Sequence, residues 1–288
     1  MAGARPRTLP ISIVPVLAGA AASGHPTAIR TGAALLVALL LQIGANYAND
    51  YFDGVRGVDS GRRIGPARLV ASGAASRGAV LVAAGLALAV AGVLGLWLAI
   101  AAGVPQLIVL GGCALLAAVL YTGGPRPYSG IGVADLAVFA FFGLFATCGT
   151  AAVEIGHPPR AAWWASIPIG LLAAAVLMAN NLRDIDSDTA AGRRTLTVRL
   201  GIARGRALYR AVMICALLVP VGGVALRGLP VEALDVLVAT PLVVRPIRLV
   251  AQAHGVRLVP ALVATVKAHV AVGLLLTAAL AANTAWPR

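Results

Sequence analysis

The chain of 288 residues carries only ten acidic side chains, and five of them sit in two short stretches, Asn46-Tyr-Ala-Asn-Asp-Tyr-Phe-Asp53-Gly and Asn180-Asn-Leu-Arg-Asp-Ile-Asp-Ser-Asp188, with Asp59 following the first. On a helix advancing about 100° per residue, Asn46, Asp50 and Asp53 fall within about 60° of one another. Asn180, Asp184 and Asp188 make a similar i, i+4, i+8 stripe, flanked by Asn181 as the first is by Asn49. Asp186 points to the other side. Carboxylates crowded at a helix C-terminus repel one another and oppose the helix dipole. At membrane depth they are costlier still. Arginine could supply the counter-charge, the acids then being solvated loop ends balanced by Arg56, Arg62, Arg183 and Arg193. A divalent cation does so better where several oxygens converge. Mg²⁺ prefers hard oxygen ligands and commonly bridges carboxylates to phosphates, and no Cys/His set competes for a softer metal. The spacing therefore predicts Asp50, Asp53, Asp184 and Asp188 as metal ligands, with a diphosphate as the bound anion.

These residues must be positioned by membrane-spanning helices. Hydrophobic residues make up 60% of the chain and charged residues 11%, against about 25% charged in a soluble domain. Apolar runs against breakers give nine candidate spans: 9–24, 31–52, 79–101, 105–121, 132–153, 161–182, 206–226, 234–250 and 262–283. The eighth is short and holds Pro241 and Pro246. The predicted fold is all-α and polytopic, about nine helices around a central cavity, forming one domain over 1–288. Arg5 and Arg7 ahead of Leu9–Ala22 imitate a cleaved signal peptide. Pro10 and Pro15 and the spans that follow favour a retained first span.

Eighteen arginines fall on one side of these spans and four (Arg30, Arg160, Arg227, Arg288) on the other. The positive-inside rule then puts the N-terminus in and the C-terminus out. Both aspartate clusters, four spans apart, lie at the cytoplasmic face of a bacterial plasma membrane protein. The net charge of +13 follows from the same bias, which argues against nucleic-acid binding. The inside loops 53–78 and 183–205 are rich in Gly, Arg and Asp and carry no helical pattern throughout. Cys113, Cys148 and Cys215 read as small buried side chains, and Lys267 and His269 in the last span as residues that snorkel or line a cavity.

Asn46-x₃-Asp50-x₂-Asp53 and Asp184-x₃-Asp188 resemble the two aspartate motifs of the UbiA-type membrane prenyltransferases. Further stretches resemble the branch that prenylates 1,4-dihydroxy-2-naphthoate in menaquinone synthesis: Arg5-Pro-Arg-Thr-Leu-Pro10, Gly65-Pro-Ala-Arg-Leu-Val70, Tyr121-Thr-Gly-Gly124 with Pro127-Tyr128, Asn180-Asn-Leu-Arg-Asp184 and Thr195-Leu-Thr-Val-Arg-Leu-Gly201. One departure stands out. The position four residues after Asp53, often an acid in the wider family, is Gly57 here, which weakens Asp59 as a ligand.

The resemblance implies Mg²⁺-dependent transfer of a polyprenyl group from its diphosphate to the naphthoate, with loss of CO₂, giving demethylmenaquinone. Asp50, Asp53, Asp184 and Asp188 would hold Mg²⁺. Asn46, Asn49, Asn180 and Asn181 would orient waters or phosphate oxygens. Arg126 and Arg183 could contact phosphate, although Arg183 could equally pair with the adjacent Asp184. Tyr47, Tyr51, Tyr121 and Tyr128 could face an allylic cation, with interfacial anchoring as the other reading of each. The bilayer would surround the prenyl tail. Two other readings stay open: another aromatic acceptor, and a secondary transporter. Transporter sites lie near the midplane on broken helices, whereas these acids lie at span ends.

Overall fold

Away from water a backbone must satisfy its own hydrogen bonds, and an apolar run does so as a helix. In a computed structural model, which describes residues 2–57 and 68–285, all the regular structure among the described residues is helical. In chain order the helices are α1 (Pro10–Ser23), α2 (Ala28–Val55), α3 (Arg77–Ala102), α4 (Gln106–Leu120), α5 (Ala134–Ile155), α6 (Arg160–Arg183), the short α7 (Ile185–Ala190), α8 (Leu196–Ala225), α9 (Thr240–Gln252) and α10 (Val259–Ala285). Each of the nine expected spans falls on helix. Six helices among the described residues, α2, α3, α5, α6, α8 and α10, are long and apolar enough to cross a membrane. The rest differ from expectation. Helices α1 and α4 have 14 and 15 residues. The eighth stretch is a 3₁₀ segment, Val231–Ala239, that runs into α9 around Pro241 and Pro246. The loop expected over 183–205 contains α7 and the start of α8, which bends at Gly201 (φ 72°).

Local signals set the boundaries. The Ser76 hydroxyl accepts the Ala79 N–H (3.2 Å) at the start of α3, and Gly103, with φ 68°, ends it. Thr195 caps α8 in the same way, accepting from the Val198 N–H.

The core is built around α6. Its Ile169, Leu172, Met178 and Leu182 pack with Val14 of α1, Tyr209 and Met213 of α8, and Val272 and Leu276 of α10. Small residues let the helices close up where lipid offers no hydrophobic drive. Helix α5 crosses α6 glycine to glycine: a Cβ on Gly143 would lie 2.6 Å from the Gly170 Cα. Gly143 sits in a π-helical segment, Phe139–Phe145, that interrupts α5 and turns Phe141, Phe142 and Phe145 toward a cavity. Large apolar side chains such as Val82, Leu86 and Val93 on α3 and Val109 and Leu116 on α4 are exposed, as helices bathed in lipid require. Two of the three cysteines depart from the expected burial: Cys148 is buried, whereas Cys113 and Cys215 are exposed. His269 is fully buried in α10 rather than snorkelling, while Lys267 is exposed.

At the end of the bundle remote from the aspartates, one buried acid joins α2 to α5. The Glu154 carboxylate accepts from the Thr27 N–H (3.0 Å), the Thr27 hydroxyl (2.9 Å) and the Thr31 hydroxyl (2.7 Å). Arg30 adds bonds to the Val153, Glu154 and Ala101 carbonyls. Glu154→Ala should leave these donors short of an acceptor and cost about 2 kcal/mol. Circular dichroism on heating in detergent should show a lowered melting midpoint, with helix content unchanged at room temperature.

Candidate active site

The C-terminal half of α2 carries Asn46, Asn49, Asp50 and Asp53 inward, and all four are buried. Asp50 accepts two backbone amides from the segment before α3, those of Leu69 (2.9 Å) and Val70 (3.0 Å). Asp53 takes Arg68 on one oxygen (2.7 Å) and Arg193 on the other (3.1 Å). Asn46, Asp50 and Asp53 thus share one unbroken helix, as the spacing assumes.

The second stretch is corrected. Helix α6 ends at Arg183, Asp184 adopts φ −96° and ψ 9°, and α7 starts afresh at Ile185. Asn180, Asp184 and Asp188 are not one continuous helical stripe. Two backbone bonds nevertheless preserve the spacing across the break, from the Asp184 N–H to Asn180 (3.1 Å) and from the Asp188 N–H to Asp184 (2.8 Å). Arg183 grips Asp184 through two nitrogens (2.7 and 2.6 Å) and reaches the Asn180 amide oxygen (2.9 Å). The adjacent acid is one of its two expected partners. Asp186 is exposed and pairs with His254 at 2.7 Å, away from the cluster as expected.

Arg193 brings the two stretches together. One of its guanidinium nitrogens lies 3.1 Å from Asp53 and the other 3.6 Å from Asp188. The loop between α4 and α5 closes the third side. The Thr122 hydroxyl donates to Asn49 (2.7 Å), Arg56 donates to the Thr122 and Gly124 carbonyls, and the Arg194 N–H donates to Gly130 (2.8 Å).

Beside this cluster lies a cavity of about 400 Å³. Its polar end is lined by Asn46, Asn49, Asn180, Arg5, Tyr121 and Tyr128, and its body by apolar residues of α2, α4, α5 and α6. Tyr121 and Tyr128 meet edge to face, centroids 5.3 Å apart. Burial pushes the Tyr128 phenol above its ordinary range, so the ring stays neutral at physiological pH. Tyr47 and Tyr51 do not line the cavity. Tyr47 abuts Gly3, and Tyr51 packs on Phe52. Asn181 is buried but outside the lining, and Arg126 is exposed on the α4–α5 loop. Asp59 lies outside the described residues.

Sequence reasoning gave Arg5 and Arg68 no site role, counting them for orientation and within the stretches that carry the resemblance. Arg5 adopts a left-handed conformation (φ 51°, ψ 63°), rare for a residue with a Cβ. Its segment is pinned to α2 by bonds from Asn46 to the Ala4 carbonyl (3.2 Å) and from Gln42 to the Thr8 carbonyl (3.0 Å). The signal was a basic residue before a proline in a segment too short to be a span.

The acidic and amide oxygens of this cluster are the hard donors that Mg²⁺ takes. Among the described residues, no three acidic, histidine or cysteine side chains converge tightly enough to hold a metal alone. Mg²⁺ commonly keeps several waters and takes one or two carboxylates plus substrate phosphates.

The model of the UbiA prenyltransferase family matches residues 12–261. The chain is 46% identical over 219 residues to the 1,4-dihydroxy-2-naphthoate octaprenyltransferase of Mycobacterium tuberculosis, covering 75% of this chain and 74% of that protein. Its fold is similar to the apo structure of a UbiA homolog from Aeropyrum pernix K1, with TM-score 0.74 and 17% identity over 97% of this chain and 98% of that one. It is also similar to a UbiA homolog from Archaeoglobus fulgidus bound to DMAPP and Mg²⁺, with TM-score 0.66 and 16% identity over 96% and 98% of the two chains.

If Arg193 is what joins the two stretches, Asp53→Asn and Asp188→Asn should be coupled through it. In a double-mutant cycle read by thermal unfolding, their interaction should be about 1 kcal/mol in the parent and near zero in an Arg193→Met background. Equal coupling in both backgrounds would mean that the stretches meet by another route.

Proposed function

The chain belongs to the UbiA prenyltransferase family, and on that footing we propose that it transfers a polyprenyl group from polyprenyl diphosphate to 1,4-dihydroxy-2-naphthoate, with loss of CO₂, giving the hydroquinone demethylmenaquinol, which a separate oxidation turns into demethylmenaquinone. It is an integral membrane enzyme. The observation that carries the reading is that Arg193 joins two aspartate stretches beside an otherwise apolar cavity, whose polar end is lined by their asparagines Asn46, Asn49 and Asn180 rather than by the aspartates themselves. That end suits a diphosphate, and the apolar body suits a prenyl chain.

Asp50, Asp53, Asp184 and Asp188 would hold Mg²⁺, with Asn46 and Asn180 orienting its waters or the phosphate oxygens. Mg²⁺ supplies neutralisation of the charge that develops on the departing diphosphate, and the bound Mg²⁺ and prenyl diphosphate of the Archaeoglobus fulgidus homolog support this. Arg5, at the cavity's polar end, adds a cation from the N-terminal segment. Departure of the diphosphate with the electron pair of its C–O bond leaves an allylic cation. Tyr121 and Tyr128 present neutral rings there, whose faces attract a cation. Phe141, Phe142 and Phe145 help keep water from it. A ring carbon of the naphthoate then attacks, forming the C–C bond, and the carboxylate leaves as CO₂. The arginine asymmetry orients this end toward the cytoplasm, with the N-terminus inside a bacterial plasma membrane and the C-terminus outside.

The test uses purified protein with a polyprenyl diphosphate, Mg²⁺, and the naphthoate or 4-hydroxybenzoate. Mass spectrometry should find demethylmenaquinol, or the quinone that air oxidises it to, from the first acceptor alone, and neither after EDTA. Asp50→Asn and Asp184→Asn should each lower kcat by at least about 100-fold. Asp186→Asn, on the exposed side, should stay within about twofold. Full activity of Asp50→Asn would remove the metal assignment, and prenylated 4-hydroxybenzoate would reassign the acceptor.

A further inference from the structure

Helix α9 has one face that the rest of the described chain leaves uncovered. Val243, Pro246 and Val250 are buried, whereas Arg245, Arg248 and Gln252, on the opposite side of the helix, are exposed. A concavity of about 480 Å³ lies on that outer face, lined by both arginines, by Gln252 and by the apolar Pro241, Val244 and Leu249. Neither guanidinium has a hydrogen-bond or ion-pair partner among the described residues. Three positions apart, the two are neighbours on the helix surface and repel each other. None of these residues lines the large cavity beside the aspartates.

The position of this face indicates what would answer the charge. Orientation bias accounts for arginines in loops, but these two lie within a helix, about one and two turns before Gln252. That end of α9 is fixed beside the second aspartate stretch: His254, two residues on, pairs with Asp186 at 2.7 Å, and Arg206 of α8 donates to the Ala253 carbonyl. The residues leading into the arginines from the other end are apolar and exposed, Leu237, Val238 and Leu242. In an integral membrane protein such side chains face acyl chains, and an uncompensated arginine beside them is costly. The surface thus runs from apolar to basic in the order in which a leaflet runs from acyl chain to phosphate. Guanidinium binds phosphate oxygens through paired N–H donors, and its long stem lets it reach toward the headgroup level. A soluble anion would match only the basic half of this surface, whereas a phospholipid matches both halves.

We propose that Arg245 and Arg248 form a binding site for the phosphate of an anionic phospholipid, held on α9 in the leaflet at the aspartate end of the bundle. Its acyl chains lie along the apolar residues that precede the arginines, and Gln252 adds an amide donor to the headgroup.

The test uses the full chain purified in detergent, as wild type, Arg245→Gln, Arg248→Gln and Arg77→Gln, the last removing an exposed arginine of α3 as the charge control. Native mass spectrometry counts bound lipid as phosphatidylglycerol or phosphatidylcholine of matched chain length is added, and thermal unfolding of the same samples reads the fold. The wild type should retain phosphatidylglycerol over phosphatidylcholine and melt higher in its presence. Arg245→Gln and Arg248→Gln should each weaken phosphatidylglycerol binding by about tenfold and lose the rise in melting temperature, while melting like the wild type without added lipid. Arg77→Gln should bind within about twofold of the wild type. Arg245→Lys and Arg248→Lys keep the charge but lose the paired donors, and should fall between wild type and glutamine variants; they carry the test if a glutamine variant does not fold. Unchanged phosphatidylglycerol binding in the glutamine or lysine variants would overturn the proposal. So would an equal loss in Arg77→Gln, which would mean diffuse attraction to a basic surface, or equal retention of phosphatidylcholine. Displacement of the lipid by inorganic phosphate would overturn the lipid assignment in favour of a soluble anion.

Discussion

Arg193 holds Asp53 with one nitrogen and Asp188 with another, so a single guanidinium links a residue of α2 to one of α7, 135 positions later in the chain. Four carboxylates buried at one end of an apolar bundle repel one another strongly, since charges there are poorly screened. The surrounding structure answers that demand. The segment before α3 turns its amides onto Asp50, Arg68 comes down on Asp53, and Arg183 folds back on Asp184. Removing a cation from such a cluster leaves an uncompensated charge, which is why the basic loops pack against the helices.

The rest of the bundle follows from keeping that end polar and the remainder dry. Helix α6 supplies the core, and glycine-to-glycine contact lets α5 lie close against it. The same contact falls in the π-helical turn that swings three phenylalanines toward the cavity. An apolar cavity thus persists beside a charged cluster because the helices enclosing it are packed through small residues elsewhere.

Much of this was legible in the residues. The apolar runs gave the helices, and the spacing of Asn46, Asp50 and Asp53 gave one face of a helix, which the structure buries. What was not legible has physical causes. Counting a stripe through Asn180, Asp184 and Asp188 assumes an unbroken helix, and nothing in residue types alone reveals the break at Asp184. Hydropathy cannot separate a lipid-facing side chain from a core one, because lipid is as apolar as the core. Cys113 and Cys215 are accordingly exposed where burial was expected. Arg5 and Arg68 act from segments without periodicity, where a pattern carries no information about which side chain turns inward.

The partners of the acids also differ in how firmly they are held. Arg183 meets Asp184 through two bonds of 2.6 and 2.7 Å, a fork-to-carboxylate geometry that fixes both groups. Arg193 spans Asp53 and Asp188 at 3.1 and 3.6 Å and is 28% exposed. Guanidinium has five donors, and these two contacts leave several of them toward solvent. An anion arriving at this end can therefore draw on Arg193 without stripping Asp184 of its partner. The tight pair fixes the shape of the second stretch, and the looser bridge keeps a cation within reach of both stretches.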